Sequence, residues 1–445
     1  MSRPANLPEP AAKPKLNFGG RNSELLSPLG LTRRARVNIV AAMQTILHRR
    51  PAAWWCSLAA LVLLAGGTTT SVAQHSGPWD VAALSKAPTV TWGATNGLVQ
   101  ELYYAGEPFN GQPTRVFAYL GRPATNSTGK LPAMVLVHGG GGQAFKAWAE
   151  HWAKHGYVAL AMDLAGHGPN ARLPDGAPDQ SDQTKFRNFT EADATNMWTY
   201  HAVADVLRGH SLVRSLPEVD AERTGLTGIS WGGYLTCIVA GIDPRFKVSV
   251  PVYGCGFLGD NSYWTPNSLA AMTPEARALW LKLFDPGAYL AGVRQPILFV
   301  NGTTDFAYPL DSYQKSYRLV PEKWRHISVA VGRPHGHIWN FPEVDGFVDS
   351  VLRAGPPLTR VGAPAIADGK FSVKLEGGAV LKEISLCYTI NSGAWQKRAW
   401  QKVPARVEGE LALADLPAAR PLVAFIAMKD QGGRQVSSEH VELAK

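Results

Sequence analysis

The stretch Thr224-Gly225-Leu226-Thr227-Gly228-Ile229-Ser230-Trp231-Gly232-Gly233 decides the fold. Its first half reads as a short buried strand and its second half as the small-residue start of a helix. A serine on the sharp turn between them sits in strained backbone angles. Side chains two residues to either side would collide there, and Gly228 and Gly232 remove those collisions. The turn also aims a helix N-terminus at the serine oxygen, which favours negative charge developing on it. A Gly-x-Ser-x-Gly run is common by chance, but between a strand and a helix it makes Ser230 a candidate nucleophile.

The same rhythm extends in both directions. Val99 to Tyr104 and Arg115 to Leu120 read as antiparallel strands around a turn-rich segment, and Ala133 to Val137 as a strand buried on both faces. Residues 143–155 have helical spacing, Tyr157 to Leu164 is strand-like, and a long helix is expected from Glu191 to Leu212. Further strands are expected at Lys247 to Tyr253, Pro296 to Asn301 and His326 to Val331, with a helix between the last two and another from Phe341 to Arg353. Such alternation implies an α/β fold with a mostly parallel sheet and helices on both faces. Residues 170–190 and 256–290 break the repeat and are expected to form loops or a cap over a site.

A nucleophilic serine needs a base, and the base needs an orienting acid. In this architecture they follow in the order serine, acid, histidine, each after a later strand. Asp305, after the strand at Pro296, is the candidate acid, with Asp311 a weaker rival already inside the next helix. The loop Gly332-Arg333-Pro334-His335-Gly336-His337 offers two bases. His335 is preferred because the glycine after it lets the loop turn tightly; His337 is the alternative, otherwise a pocket wall. Backbone donors for an oxyanion are expected from Trp231 and from the run after His138, chiefly Gly140 and Gly141. That run carries neither the Lys-Ser/Thr of a phosphate loop nor a dinucleotide fingerprint. His138, Tyr253 and Trp339 complete the candidate pocket, and Trp264 adds to the aromatic supply. Asp163 and His167, close together at a strand end, lack metal-ligand spacing and read as a structural loop.

With these residues in view, Val219 to Tyr234 resembles the nucleophile region of bacterial acetyl xylan esterases, dienelactone-hydrolase-like proteins and prolyl-oligopeptidase catalytic domains. The resemblance covers about residues 90–355. It implies an α/β-hydrolase fold and a serine hydrolase that cleaves carboxylic esters through an acyl-enzyme, acetyl-esterase-like and acting on a small-molecule or carbohydrate ester, with no metal or organic cofactor. The alternatives are a serine peptidase or aminopeptidase of prolyl-oligopeptidase type and, less favoured, a non-catalytic binding protein on the same fold. Prolyl oligopeptidases carry an N-terminal propeller, for which the roughly 60 residues between leader and His138 leave no room, and this favours the esterase.

The ends of the chain read differently. Of the 445 residues, the first fifty carry nine Lys/Arg against two acidic side chains and residues 51–73 carry none, so the +9 overall charge leaves only +2 beyond the leader. A nearly balanced body gives no case for a nucleic-acid partner. Arg49-Arg50, the apolar run Trp54 to Ala65 and Ser71-Val72-Ala73 read as a secretory signal peptide, implying export to periplasm or medium. The run is short for a membrane span, and an uncleaved anchor is the alternative. Cys56 leaves with the signal; the remaining Cys237, Cys255 and Cys387 exclude a disulfide framework, leaving open one Cys237–Cys255 bridge or free thiols. After Ala354-Gly355-Pro356-Pro357, short alternating runs resemble a C-terminal all-β immunoglobulin-like sandwich. The expected organisation is thus residues 1–73 as extension and signal, 74–355 as the catalytic domain and 356–445 as the accessory sandwich.

Overall fold

The strands sit where the apolar runs place them. The computed structural model describes residues 76–124 and 129–444; the signal-peptide reading and Cys56 fall outside the described residues. One nine-stranded sheet contains β1 (Val90–Asn96), β2 (Val99–Ala105), β3 (Arg115–Gly121), β4 (Leu131–Val137), β5 (Val158–Met162), β6 (Val219–Ile229), β7 (Val248–Val252), β8 (Ile297–Gly302) and β9 (Arg325–Ala330). Its order is β1-β2-β3-β5-β4-β6-β7-β8-β9. From β5 through β9 every pairing is parallel, while β1, β2 and β3 add an antiparallel edge against β5. Strands β4, β5, β7 and β8 are nearly continuous buried runs, as strands covered by helices on both faces are.

Among the described residues the helices are α1 (Val81–Leu84), α2 (Lys146–Lys154), α3 (Asp182–Lys185), α4 (Trp198–Ser215), α5 (Trp231–Ile242), α6 (Pro274–Phe284), α7 (Leu310–Leu319) and α8 (Pro342–Leu352). None is long and apolar enough to cross a membrane. The single helix expected over Glu191 to Leu212 is instead a 3-10 turn, Glu191–Asn196, followed by α4. A capping box between Thr190 and Asp193 tightens the first turn, and Met197 is extended (φ −83°, ψ 145°), so the helix starts afresh after it. Several elements escaped the sequence reading, β1 and α6 the longest among them. Strand β1 is almost wholly exposed and so has no apolar alternation. Helix α6 lies inside the expected cap segment, and it starts on Thr273, whose hydroxyl accepts from the Ala276 amide, and on Pro274.

Beyond α8 the chain builds two antiparallel five-stranded sheets from β10 (Arg360–Val361), β11 (Ala365–Ala367), β12 (Lys370–Glu376), β13 (Leu381–Thr389), β14 (Gln401–Pro404), β15 (Arg406–Glu408), β16 (Leu411–Asp415), β17 (Leu422–Asp430), β18 (Gln435–Ser437) and β19 (Val441–Leu443). One sheet runs β10-β12-β16-β15 with β11 beside β12; the other runs β14-β13-β17-β18 with β19 beside β17. Strand β17 is buried on both faces and its two sets of side chains part company. Leu422, Ala424, Ile426 and Met428 join Phe371, Val373, Ala412 and Ala414 in the inter-sheet core. Val423 and Phe425 turn the other way, with Cys387 and Trp395, onto Leu310 of α7 and Val329 of β9. Ser437 Oγ accepts from the Val329 amide (2.9 Å) and Gln435 Nε2 donates to the Val329 carbonyl (2.8 Å), so edge strand β9 is covered. The described residues form one compact unit. Cys237, Cys255 and Cys387 are buried free thiols, which settles the open question of a Cys237–Cys255 bridge.

Candidate active site

Parallel strands deliver their carboxyl ends to one edge of the sheet, and loops from neighbouring strands meet there. The glycine run leaves β4, Ser230 ends β6, Asp305 follows β8 and His335 follows β9. Ser230 holds φ 61° and ψ −119°, a conformation that side chains rarely adopt. Its amide donates to the Val252 carbonyl (2.8 Å) and its carbonyl accepts from the Tyr234 amide (2.9 Å), so strand and helix together fix the turn. A Cβ on Gly228 would lie 2.4 Å from the Gly232 carbonyl oxygen, and one on Gly232 would lie 2.0 Å from that of Val137. Only glycine lets the turn nest between β4 and α5. Ser230 is 7% exposed, so its surroundings are largely dry.

His335 Nδ1 donates to Asp305 Oδ2 at 2.7 Å. The other oxygen of Asp305 accepts from the amides of Ala307 (2.9 Å) and Tyr308 (2.8 Å), which clamps a carboxylate whose side chain is fully buried. Tyr253 supports the imidazole from below: its ring stacks on His335 at 4.7 Å, and its hydroxyl donates to the Pro334 carbonyl (2.9 Å). Burial and the neighbouring Asp305 and Glu343 carboxylates push the Tyr253 phenol far up, against the opposing effect of Arg333, so it stays a neutral donor. The rival Asp311 is engaged elsewhere, accepting from Asn261 Nδ2 at 2.8 Å.

His337 takes a different place. A Cβ on Gly139 would meet His337 Nε2 at 2.4 Å and Ser230 Cβ at 2.8 Å, so this imidazole packs on the glycine run beside the serine. Nε2 is buried without a hydrogen-bond partner among the described residues. Burial, helped by the nearby His138 and His335, pushes His337 down to about 4, leaving it neutral near pH 7. Gly140 lies against the indole of Trp231, whose Cδ1 would be 2.8 Å from an added Cβ, and Gly141 adopts φ 69°. The glycine run and the residue after Ser230 thus face each other.

Two pocket candidates are corrected. His138 is 1% exposed and both ring nitrogens serve the backbone: Nε2 accepts from the Leu164 amide (2.8 Å) and Nδ1 donates to the Gly139 carbonyl (2.8 Å). It braces the ends of β4 and β5 and does not line a pocket. Trp339 packs behind the histidine loop against Trp148 (5.5 Å) and Trp152 (5.7 Å), with Nε1 donating to Asp345 Oδ1 (3.0 Å). Asp163 accepts from the Ala165 (2.9 Å) and His167 (2.7 Å) amides, as a loop-forming aspartate does.

On the second wall the sequence pointed to Trp231 and Trp264 but not to the side chains packed against them. Trp231 lies 4.5 Å from Trp264 and 5.8 Å from Phe186, and Lys185 Nζ sits 4.3 Å over its ring. Burial pulls the Lys185 ammonium down, while Asp182 at 3.0 Å helps to hold its charge. Phe306, 52% exposed, lies 4.9 Å from the His335 ring and 5.8 Å from the 49%-exposed Tyr263, forming an open aromatic rim.

The structure is similar to that of an acetyl xylan esterase from Paenibacillus sp. R4, with a TM-score of 0.50, 20% identity, and coverage of 62% of this chain and 92% of that one. The fold is that of the α/β-hydrolases. The acetyl xylan esterase family model matches residues 90–279 of this chain. The acetyl esterase Axe7A of Xylanibacter ruminicola is 24% identical over 216 residues, 44% of this chain and 46% of the relative, so the match spans about half of that protein. A protein of Methylorubrum extorquens named as a carboxymethylenebutenolidase is 26% identical over 228 residues, 47% of this chain and 74% of the relative.

Proposed function

We propose that this α/β-hydrolase is an exported serine esterase that removes acetyl or similarly small acyl groups from carbohydrate or small-molecule esters. The observation that carries the reading is the 2.7 Å bond from His335 Nδ1 to the buried Asp305, on the sheet edge where Ser230 holds its strained turn. Because Nδ1 carries the proton, the lone pair lies on Nε2, the nitrogen free to act as base. His335 takes the Ser230 proton as Oγ attacks the ester carbon. The tetrahedral oxyanion accepts from the backbone amides of Trp231 and of Gly140 and Gly141. As the carbon–oxygen bond to the alcohol breaks, His335 returns the proton to the leaving oxygen. Water, deprotonated by His335, then hydrolyses the acyl-enzyme and restores Ser230. No step needs a cofactor.

A carbohydrate alcohol is supported by the Tyr263–Phe306 rim, since exposed rings beside a catalytic base suit stacking on a sugar face. The small acyl group is supported by the matched acetyl xylan esterase model, and export by the basic-apolar-small leader. Hydrolysis of acetyl, butyryl and longer 4-nitrophenyl esters, acetylated xylan and aminoacyl anilides tests the reading. Preference for acetyl esters, lost in Ser230→Ala, is expected. Preference for anilides would make the protein a peptidase, and no Ser230-dependent turnover would leave a binding protein. Fractionation of the source cell tests export: membrane retention resistant to salt would replace secretion by an uncleaved anchor.

A further inference from the structure

On the far side of the histidine loop, helix α2 presents His151 and its C-cap residue His155, four residues on, and helix α8 presents Asp345 toward them. One ring nitrogen from each histidine and one Asp345 oxygen lie within 4.8 Å of one another. The rings stand 4.3 Å apart and His151 Nε2 is 3.1 Å from Asp345 Oδ2. A tetrahedral zinc ion with bonds of about 2.0–2.1 Å holds its ligand atoms roughly 3.3 Å apart. Small side-chain rotations, chiefly of the exposed His155, close the set.

The surroundings already orient these groups for a metal. His155 Nδ1 is 2.7 Å from the His151 carbonyl. A carbonyl only accepts, so Nδ1 carries the proton and Nε2 keeps its lone pair outward. Trp339 Nε1 holds Asp345 Oδ1 at 3.0 Å and leaves Oδ2 to face the histidines. A backbone carbonyl behind one ligand and an indole behind another are the outer partners that metal-binding histidines and carboxylates use. No metal is expected from the sequence alone: His151 and Asp345 stand 194 residues apart, and only the packing of α2 on α8 brings them together.

We propose that His151, His155 and Asp345 form a site for a zinc-class divalent ion that staples α2 to α8 behind the loop carrying His335 and His337. Two imidazoles and a carboxylate favour zinc, cobalt, nickel or copper over calcium or magnesium. As Nε2 of His151 takes the metal, the neutral ring carries its proton on Nδ1, the Nε2 proton exchanging to that nitrogen through solvent, and water fills the fourth position. The staple bears on the loop through two tethers, Trp339 on Asp345 and Trp148 Nε1 on the His337 carbonyl (3.2 Å). The binding claim stands apart from the esterase reading, because its readouts do not involve turnover.

The test uses the untagged chain, stripped with chelator and desalted. Titration calorimetry with zinc chloride should give one ion per chain at micromolar affinity or tighter, and cobalt should give the visible absorption of a tetrahedral ion. Zinc should raise the thermal midpoint by several degrees, whereas magnesium should not. His155→Ala, an exposed change that leaves the fold intact, should weaken zinc binding at least tenfold and abolish the midpoint shift. No stoichiometric zinc binding, or equal binding by His155→Ala, would overturn the site. Binding with no midpoint shift would overturn the staple.

Discussion

Asp305→Asn separates orientation of the base from everything else in the site. One Asp305 oxygen accepts two backbone amides, at 2.9 and 2.8 Å, and the other accepts His335 Nδ1 at 2.7 Å. Asparagine has one oxygen for these two jobs. The amides of Ala307 and Tyr308 can only donate, so the side-chain oxygen stays with them and the NH2 faces His335. A donor facing Nδ1 forces the ring into the other tautomer, with the proton on Nε2, where it cannot serve as base. The same change in serine proteases lowers kcat by about 10^4, equivalent to roughly 5.5 kcal/mol, and a loss of that size is expected here. Asparagine is nearly isosteric and removes a buried charge, so the thermal midpoint should move by only a few degrees. The assay is steady-state deacetylation of an acetylated xylo-oligosaccharide, with midpoints from circular dichroism. A folded variant with kcat reduced less than tenfold would refute the assignment of Asp305 as the orienting acid.

Other outcomes follow from the same contacts. His335→Ala should abolish deacetylation, whereas His337→Ala should keep activity within about tenfold, because His337 packs on Gly139 and is not the partner of Asp305; the reverse pattern in kinetic assays would exchange the two roles. Gly139→Ala should cost about 1–3 kcal/mol in urea melts, since its Cβ would meet the Ile229 carbonyl oxygen at 2.7 Å as well as His337 and Ser230. Phe306→Ala should raise KM for acetylated xylo-oligosaccharides about fivefold, a stacking contribution near 1 kcal/mol, with kcat and 4-nitrophenyl acetate turnover little changed. Stability should fall as pH drops from 6.5 toward 4. Burial pushes His201, His210, His326 and His337 down to about 4, so the unfolded chain binds more protons in that window. His201 alone contributes a slope of about 1.4 kcal/mol per pH unit, and the less deeply buried His337 a smaller share. Melts across this range should show the decline, and His201→Phe, which cannot charge, should make it shallower without abolishing it, since the other buried histidines remain.

What the sequence carried and what it did not divide along physical lines. Ser230 and the glycines around it were legible because a strand–turn–helix crossing demands small residues at fixed offsets. Asp305 and His335 were legible through chain order, since each follows a strand whose apolar run is unmistakable. The structure then joins those two residues through a single hydrogen bond. The supports were hidden. Tyr253 holds φ 58° and stacks on His335, a conformation and a contact that only tertiary packing creates. His138 looked like a pocket residue because it precedes the glycine run, yet its ring braces two strands. His151, His155 and Asp345 gave no motif, because helical spacing supplies two ligands and the third arrives from another helix. The C-terminal strands were readable from alternation, but β17 faces two partners and its outward set reads like any other apolar run.

Stoichiometric labelling of Ser230 tests the central claim most directly. A fluorophosphonate offered to the native chain should add one adduct per molecule, located at Ser230 by peptide mass mapping. Its rate should fall by orders of magnitude in His335→Ala and in Asp305→Asn. No adduct on the folded wild type, an adduct on another residue, or labelling of Ser230 at an unchanged rate in His335→Ala would contradict the account.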